Sequence, residues 1–222
     1  YTVPPQLFRE LPDGTVRQVN PDSTFAGLGF GGGSSMSSLL STAMSTNIFS
    51  EMLDDTRLVE QQYDVLVGDW PSGHDEVVLV LTSSGSLSDW GFYTMGLRDP
   101  AELDEMVRAL AEDRPIVTPE GGRDSFSYDE ILDVTFKLVP AADFFAYDEA
   151  FEVWADRSTD PEQLADIVAA GETVRISGIV RPRPGATATA LEPGFYYSPD
   201  MITYLVEEAA GRPIVREQLA KP

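Results

Sequence analysis

Apolar and polar residues alternate with two different periods along the chain, and each period predicts a different kind of element. Short runs that alternate apolar and polar residues, or that are almost entirely Val, Leu and Ile, predict β-strands. Longer runs with apolar residues three or four positions apart predict amphipathic helices. The two kinds of element are interleaved without a strict strand–helix–strand repeat, so the sequence predicts an α+β fold with a mixed sheet and packed helices.

Five segments carry the strand pattern. The dipeptide Asp13-Gly14 predicts a hairpin turn before the first of them. The segment 76–81 is nearly all Val and Leu, which predicts a strand covered on both faces. The last segment alternates and then stops at Pro182 and Pro184, which predicts that it ends at a margin of the sheet. The predicted strands are residues 15–19, Tyr63–Gly68, residues 76–81, residues 134–139 and Glu172–Pro182.

Six segments carry the helical pattern, and several have recognisable ends. Asp99-Pro100 with Glu102 has the layout of a capping box before an apolar stripe at positions 103, 106, 107, 110 and 111. Ser198 and Pro199 predict the start of another helix with a stripe at 201, 202, 205, 206 and 209, closed by Gly211 and Pro213. The predicted helices are residues 36–53, a segment beginning near residue 89, residues 99–111, Tyr128–Leu132, residues 160–170 and residues 198–209.

Two groups of aromatic residues have different predicted roles. Trp90, Phe92 and Tyr93 follow a predicted helix start, and such a group is typical of a core. The second group lies between residues 144 and 154, outside any clear helical stripe, and predicts either a strand pair or an exposed binding edge. The sequence leaves open whether this second group is core or surface. Its members are Phe144, Phe145, Tyr147, Phe151 and Trp154.

The charge balance excludes some classes of partner. The 222 residues include 15 Lys and Arg against 37 Asp and Glu, a formal net charge of −22. Nucleic-acid binding needs a basic face that displaces counterions, so no nucleic-acid partner is expected. Binding to an anionic lipid surface is disfavoured for the same reason. The acidic residues predict mainly a solvated surface, and attraction of cationic peptides or divalent ions is the alternative.

The residue types that carry catalysis are scarce or badly spaced. There is no Cys, and His74 is the only His, in a turn where a solvated loop histidine is expected. The glycines of residues 27–33 lack the strand and the Lys-Ser/Thr of a phosphate-binding loop. The pairs Asp54-Asp55 and Glu207-Glu208 are expected to be acidic surface, with the second pair on the polar side of the last helix. We therefore predict no catalytic residues, no cofactor-binding residues and no metal ligands, and the sequence assigns no substrate-binding residues.

Three blocks of sequence together resemble a known family. The first block is Gln62 to Pro71 with Glu76 to Leu81 and Gly96-Leu97. The second runs from Phe126 to Leu132 and on to Phe136–Val139, written in sequence as FSYDEIL and FKLV. The third is Ile176 to Pro182 with Gly194 to Pro199 and the helix that follows. In this order, over most of residues 50–222, they resemble the MacB-type periplasmic core domain, which is the extracytoplasmic domain of FtsX-like ABC transporter permeases.

The resemblance implies a location and a set of partners. Such a domain lies between the first two transmembrane helices of a permease, on the extracytoplasmic side of a bacterial cell membrane, and has no catalytic residues of its own. A cytoplasmic ATPase drives the permease. The domain transmits that motion or engages an extracytoplasmic peptide, lipoprotein or protein. We therefore expect an apolar helix encoded before residue 1 and three more after residue 222.

The resemblance also implies how the chain is organised. Residues 1–222 would form one extracytoplasmic domain, read as a fragment of a longer protein. Its membrane-proximal lobe would combine residues 1–68 with residues 171–222, and residues 69–170 would form an inserted lobe. Two other functions stay open from the sequence. One is a secreted or surface-anchored module that binds peptide or glycan through the second aromatic group, and the other is a hydrolase with a carboxylate pair.

Overall fold

The computed structural model describes residues 4–21, 48–53, 56–112, 114–115, 123, 125–186 and 189–221. Helices and strands are interleaved along this chain, and a short 3₁₀ turn at Ala141–Phe144 precedes a small second sheet of two strands. The strands are β1 Gln6–Glu10, β2 Val16–Asn20, β3 Phe49–Glu51, β4 Tyr63–Gly68, β5 Glu76–Val80, β6 Thr135–Val139, β7 Phe145–Asp148, β8 Val153–Asp156, β9 Glu172–Pro182 and β10 Gly194–Tyr197. The helices are α1 Thr56–Gln62, α2 Asp89–Thr94, α3 Pro100–Ala111, α4 Tyr128–Leu132, α5 Pro161–Ala169, α6 Pro199–Gly211 and α7 Pro213–Ala220.

One mixed, 8-stranded sheet organises the molecule. Its strands follow the order β2-β1-β6-β9-β5-β10-β3, and β4 pairs with β9 beside this path. The pairs β9–β5 and β10–β3 are parallel, and the other pairs are antiparallel. The fold is therefore α+β with a mixed sheet, as the interleaved patterns predict.

Strand β9 is the centre of this sheet. Its first residues pair with β6 and its last residues with β4, while β5 pairs with the overlapping stretch Arg175–Val180. Because a strand has only two edges, β4 and β6 share one edge of β9 and β5 occupies the other. The prediction of a strand is confirmed, and the predicted position at a margin of the sheet is wrong. The reason is that the prolines end the strand, while its neighbours are set by pairing far away in sequence.

Two glycines allow β4 to meet β9. Gly68 lies opposite Gly178, and its φ of 69° is in the left-handed region. A Cβ on Gly68 would overlap the carbonyl oxygen of Ser177, and a Cβ on Gly178 would overlap the carbonyl oxygen of Asp69. Any side chain at either position would therefore push the two strands apart.

Both faces of the sheet are covered, as the apolar run in β5 predicts. Val77 and Leu79 of β5 face the larger core with α2, α4 and α6, whereas Val78 and Val80 face a second core with α1. All four of these side chains have no exposed surface. A third cluster of Phe8, Val139, Ile167 and Val168 places α5 against β1 and β6.

The predicted helices agree with the structure at most of their starts. Ser127 and Glu130 form a reciprocal capping box at α4, and the Asp160 carboxylate caps α5. At α6, Pro199 occupies the first turn as predicted, but the Ser198 hydroxyl donates to the carbonyl of Gly73 (3.3 Å) and does not cap the helix. In the predicted stripe of α6, Met201 is fully buried whereas Val206 is 64% exposed.

One helical prediction is wrong, and another is incomplete. Residues 36–53 are predicted as one helix, yet Phe49–Glu51 is strand β3, which pairs with β10 in parallel. Pairing with β10 overrides the helical spacing at Phe49–Glu51. The earlier part of the predicted helix lies outside the described residues. So do the glycines of residues 27–33 and the pair Asp54-Asp55. Helix α6 ends at Gly211 as predicted, but helix α7, which begins at Pro213, is not predicted, because proline fits a first helical turn as well as a stop.

The predicted two-lobe division stays a prediction. The larger sheet takes β1, β4, β9 and β10 from the range predicted for the membrane-proximal lobe. It takes β5 and β6 from residues 69–170, the range predicted for the inserted lobe. Strands from both ranges are thus hydrogen-bonded in one sheet.

Candidate interaction surface

The aromatic group at residues 144–154 forms a hairpin that stands outside the main sheet. Strands β7 and β8 pair antiparallel, with Tyr147 opposite Trp154. The Asp148 carboxylate accepts from the backbone N–H groups of Ala150 (2.9 Å) and Phe151 (3.3 Å), and Glu152 takes a φ of 53° to complete the turn. The predicted strand pair is therefore confirmed, and Asp148 stabilises its turn through an Asx-type interaction.

One face of the hairpin packs beside helix α7. Tyr147 and Trp154 lie on the same face, with their rings 5.3 Å apart in an edge-to-face arrangement. The Trp154 indole N–H donates to Oε2 of Glu217 (2.8 Å), and Lys221 donates to the other carboxylate oxygen (2.6 Å). The hydrogen bonds from Lys221 and Trp154 lower the pKa of Glu217. Glu217 thus joins the hairpin to α7 as a carboxylate.

The turn before the hairpin is fixed more firmly. The ring of Phe144 packs on Phe8 at 5.9 Å, within the third core cluster. The carboxylate of Asp143 forms an ion pair with Arg212, at 2.6 Å from Nε and 2.9 Å from Nη2. The backbone N–H of Arg157 donates to the carbonyl of Phe144 (2.8 Å). The base of the hairpin is therefore held by packing and charge, while its outer strands carry exposed side chains.

An apolar groove of about 290 Å³ runs along helices α6 and α7 beside the hairpin. The stripe of α6 supplies much of one wall, and the start of β1, the end of β6 and the 3₁₀ turn supply the other. Pro4 and Gln218 both line the groove, so the first and last described parts of the chain come together there. The main apolar lining residues are Val139, Phe145, Ile202, Leu205, Val206 and Ile214.

Six of the nine large apolar side chains that are exposed in the described part of the chain lie on the hairpin, α6 and α7, and two of them, Phe145 and Val206, line the groove. Phe151 at the hairpin turn is 77% exposed, and Leu219 on α7 is 78% exposed. We call the exposed apolar residues of the hairpin, α6 and α7, together with the groove, the hairpin surface. Its exposed apolar members are Phe145, Tyr147, Phe151, Val153, Val206 and Leu219. Exposed apolar side chains gathered on neighbouring elements in this way mark a candidate interaction site.

Acidic residues edge the hairpin surface. Glu149 and Glu152 lie exposed in the hairpin turn, and Glu207 lies exposed on α6. Glu208, the second member of the predicted acidic pair, is partly buried and lies 3.6 Å from Nη2 of Arg212. The pair Glu207-Glu208 therefore lies on the outer side of α6, as predicted. The carboxylate of Glu208 belongs to the ion-pair network of Arg212 and Asp143. Helix α6 is not the last helix, because α7 follows it.

His74 differs from its prediction. The sequence predicts a solvated loop histidine, whereas the imidazole is half-buried and stacks on the ring of Tyr204 at 4.0 Å with an interplanar angle of 14°. This contact joins the loop before β5 to helix α6. The sequence could not show it, because the two residues are far apart along the chain.

Neither a metal site nor a membrane-spanning helix is found in the described part of the chain. Among its residues, no group of three or more His, Asp and Glu side chains is arranged to hold a metal ion. None of its helices combines the length and the apolar character that a bilayer-spanning segment needs.

Comparison with known proteins identifies no relative. No family model matches the chain, and neither do any of the curated proteins or solved structures with which it was compared. Function must therefore be argued from the hairpin surface itself.

Only half of this surface can be located from the sequence. The aromatic group is visible as a cluster of large apolar residues outside a helical stripe. The groove cannot be located from the sequence, because α7 is not predicted. The approach of residues 4–6 to α7 also depends on the pairing of β1 with β6. The strongest available signal is the apolar set Ile214, Val215 and Leu219, at helical spacing after Pro213.

Proposed function

We propose that this chain is a non-catalytic interaction domain, specifically the extracytoplasmic domain of an FtsX-like ABC transporter permease. In this role the domain couples ATP-driven motion of the permease to an extracytoplasmic peptide, lipoprotein or protein. The cytoplasmic ATPase is an indirect partner. The resemblance of the three sequence blocks supplies the class of protein, and the hairpin surface supplies the site at which this domain would contact the rest of the assembly.

The observation that carries the proposal is the position of the hairpin surface. It holds most of the exposed large apolar side chains of the described chain, and it lies where Pro4 and Gln218 line one groove. A domain inserted between two transmembrane helices must enter and leave on the same side. Apolar contacts near that side would then transmit movement of the helices into the domain, since exposed aromatic residues are favoured at interfaces.

The location can be tested with an introduced thiol, because residues 1–222 contain no Cys and the parent protein reports any thiol outside them. Val65 in β4 is 44% exposed and lies outside the hairpin surface. We expect Val65→Cys in the full-length protein, expressed in its native cell, to react with a membrane-impermeant maleimide on intact cells. The parent protein without this thiol is the matched control. Labelling only after lysis would contradict the extracytoplasmic location.

The class of protein can be tested on the complete reading frame. The proposal expects one apolar helix before residue 1, three after residue 222, and an ATPase that copurifies with the full-length protein. A reading frame with a single anchor, or with none, would refute the permease assignment and leave the hairpin surface as an interaction site of another kind of protein.

A second candidate is a secreted or surface-anchored module that binds a peptide or glycan. The edge-to-face pair of Tyr147 and Trp154 beside an apolar groove favours it, because aromatic side chains supply large contact areas with little loss of conformational freedom. This candidate expects a ligand to protect the hairpin surface of the isolated domain. The permease proposal instead expects the surface to be covered within the assembled transporter.

A further inference from the structure

A second cavity shares Ala142, Phe145 and Ile214 with the lining of the apolar groove, and it contains charged groups. Its volume is about 420 Å³, and it lies between the turn, strand β8, the end of α5 and the start of α7. We call it the arginine pocket. The residues that decide its chemistry are Asp143, Phe145, Trp154, Arg157, Asp166 and Arg212.

The two arginines of this pocket have different partners. Arg212 forms the ion pair with Asp143 already described, and the hydrogen bond that it donates to the Asp143 carboxylate raises the pKa of Arg212. Arg157 donates from Nη2 only to the backbone carbonyl of Asp143 (3.2 Å). Its Nε is buried without a hydrogen-bond partner in the described part of the chain, where Arg157 also makes no ion pair. Arg157 therefore keeps guanidinium donors that no described carboxylate satisfies.

Most arginines of this acidic chain pair with a carboxylate, whereas Arg157, like Arg9, Arg181 and Arg216, has no ion pair among the described residues. Carboxylates outnumber basic residues by 37 to 15, and Arg17, Arg98, Arg108, Arg114, Arg123, Arg175, Arg183 and Arg212 each pair with one. A buried polar atom without a partner has a cost in free energy and calls for an explanation. Nε of Arg157 shares this state with Nε of Arg212, and neither atom is open to a ligand, so a ligand in the cavity would instead accept from the Nη groups of Arg157.

The surroundings restrict what that ligand can be. A guanidinium offers paired, planar donors that match a carboxylate or a phosphate. Asp166 lies in the same lining, and the whole chain carries a net charge of −22, so a dianionic phosphate would be repelled more strongly than a singly charged carboxylate. Phe145, Trp154 and Ile214 provide apolar walls for the group that carries the carboxylate.

We propose that the arginine pocket binds a monocarboxylate attached to an apolar or aromatic group, with Arg157 as the residue that anchors the carboxylate. The proposal does not depend on the permease assignment, because it rests on the partners of Arg157 and the lining of the cavity alone. The carboxylate can belong to a small molecule or to the C-terminus of a peptide, since both present the same group to Arg157.

The test is a titration of the 222-residue protein with phenylacetate, followed by NMR at the Trp154 indole N–H and the Arg157 Nε–H. We expect saturable shifts of both signals with phenylacetate, and none with phenylacetamide, which has the same shape without the charge. Inorganic phosphate is expected to bind more weakly than phenylacetate. Equal shifts with the amide, or no saturable shift with phenylacetate, would overturn the proposal.

Variants identify the anchoring residue. Arg157→Gln is expected to weaken phenylacetate binding by roughly tenfold or more, because hydrogen bonds to charged groups are worth at least that factor. Arg216→Gln, on the exposed side of α7, is the matched control and is expected to bind as the parent does. Unchanged affinity in Arg157→Gln would overturn the proposal. If Arg157→Gln does not fold, Arg157→Lys and the comparison of acid with amide in the parent decide the question.

A final comparison distinguishes the two sources of the carboxylate. N-acetyl-Ala-Ala-Phe with a free C-terminus imitates a peptide end, and its C-terminal amide is the control. Tighter binding of the free peptide than of phenylacetate would assign the pocket to peptide ends, and tighter binding of phenylacetate would assign it to small molecules. Binding of neither acid would contradict the proposal in both forms.

Discussion

Strand β5 and the β7–β8 hairpin are both rich in large apolar side chains, yet they use them in opposite ways. In β5, Leu79 has no exposed surface, and neighbouring residues face two separate cores. In the hairpin, Phe151 is 77% exposed and Val153 is 51% exposed. Apolar area removed from water stabilises the fold, whereas area left in water does not. The comparison assigns the sheet to stability and leaves the hairpin surface available for the proposed interaction.

The largest expected effect is a loss of stability when an apolar side chain is removed from the main sheet. Leu79→Ala removes a fully buried side chain at the centre of the sheet and leaves a cavity. We expect the free energy of unfolding to fall by about 2–5 kcal/mol. Phe151→Ala is the matched substitution in the hairpin, and it is expected to change stability by no more than about 0.5 kcal/mol. Urea denaturation measures both, and similar losses in the two variants would contradict the assignment.

The next effect concerns the close approach of β4 and β9. A Cβ on Gly178 would overlap backbone atoms of Asp69, which cannot move without displacing β4. We expect Gly178→Ala to cost about 1–3 kcal/mol, the usual range for overpacking. Gly211→Ala is the control, since a Cβ added to Gly211 would have no atom within 4 Å and Gly211 is the last helical residue of α6. This control is expected to be neutral or stabilising in thermal denaturation. A tolerated Gly178→Ala would refute the required close contact.

A smaller effect tests how the hairpin is attached. Trp154→Phe keeps the aromatic contact with Tyr147 but removes the hydrogen bond to Glu217. We expect a loss of about 1 kcal/mol, confined to this region, because one partly buried hydrogen bond to a charged group is removed. Hydrogen exchange of the β7 and β8 amides should become faster while β5 and β9 exchange as before. Faster exchange throughout the main sheet would show that the hairpin is part of the core.

The smallest effect is a dependence on pH at the capping box of α4. The hydrogen bonds from Arg123, and then those from Ser127, lower the pKa of Glu130 to about 2. A carboxylate whose pKa is depressed in the folded state stabilises the protein above its unfolded-state pKa of 4.5. That contribution is lost as the pH falls from the unfolded value towards about 2. Glu130→Gln should therefore show a smaller loss of stability than the parent over this range, and parallel curves would contradict the prediction.

The sequence predicts the regular elements better than their arrangement. Local signals suffice for the Asp13-Gly14 turn, the capping of α4 and α5, and the buried character of β5, because each depends on neighbouring residues. Strand β3 and the central position of β9 depend on pairing with distant strands, and for both of them the prediction is wrong.

The candidate sites show the same limit. The aromatic residues of the hairpin stand out in the sequence because they do not fit a helical stripe. The groove and the arginine pocket cannot be recognised in the sequence, since they combine residues from the 3₁₀ turn, α5, α6 and α7. No local pattern indicates that Asp143 would pair with Arg212 and leave Arg157 without a carboxylate.

The central claim, that the hairpin surface is covered by contacts in the assembled protein, has a direct test. A single thiol is introduced at Phe151, and its rate of reaction with a soluble maleimide is measured in the 222-residue domain and in the full-length protein. The same rates are measured for Val65→Cys as a reference for an exposed site outside the surface. The account predicts that residue 151 reacts at least roughly tenfold more slowly in the full-length protein while residue 65 reacts equally in both, because burial at an interface excludes solvent. Equal rates at residue 151 in the two proteins would contradict it.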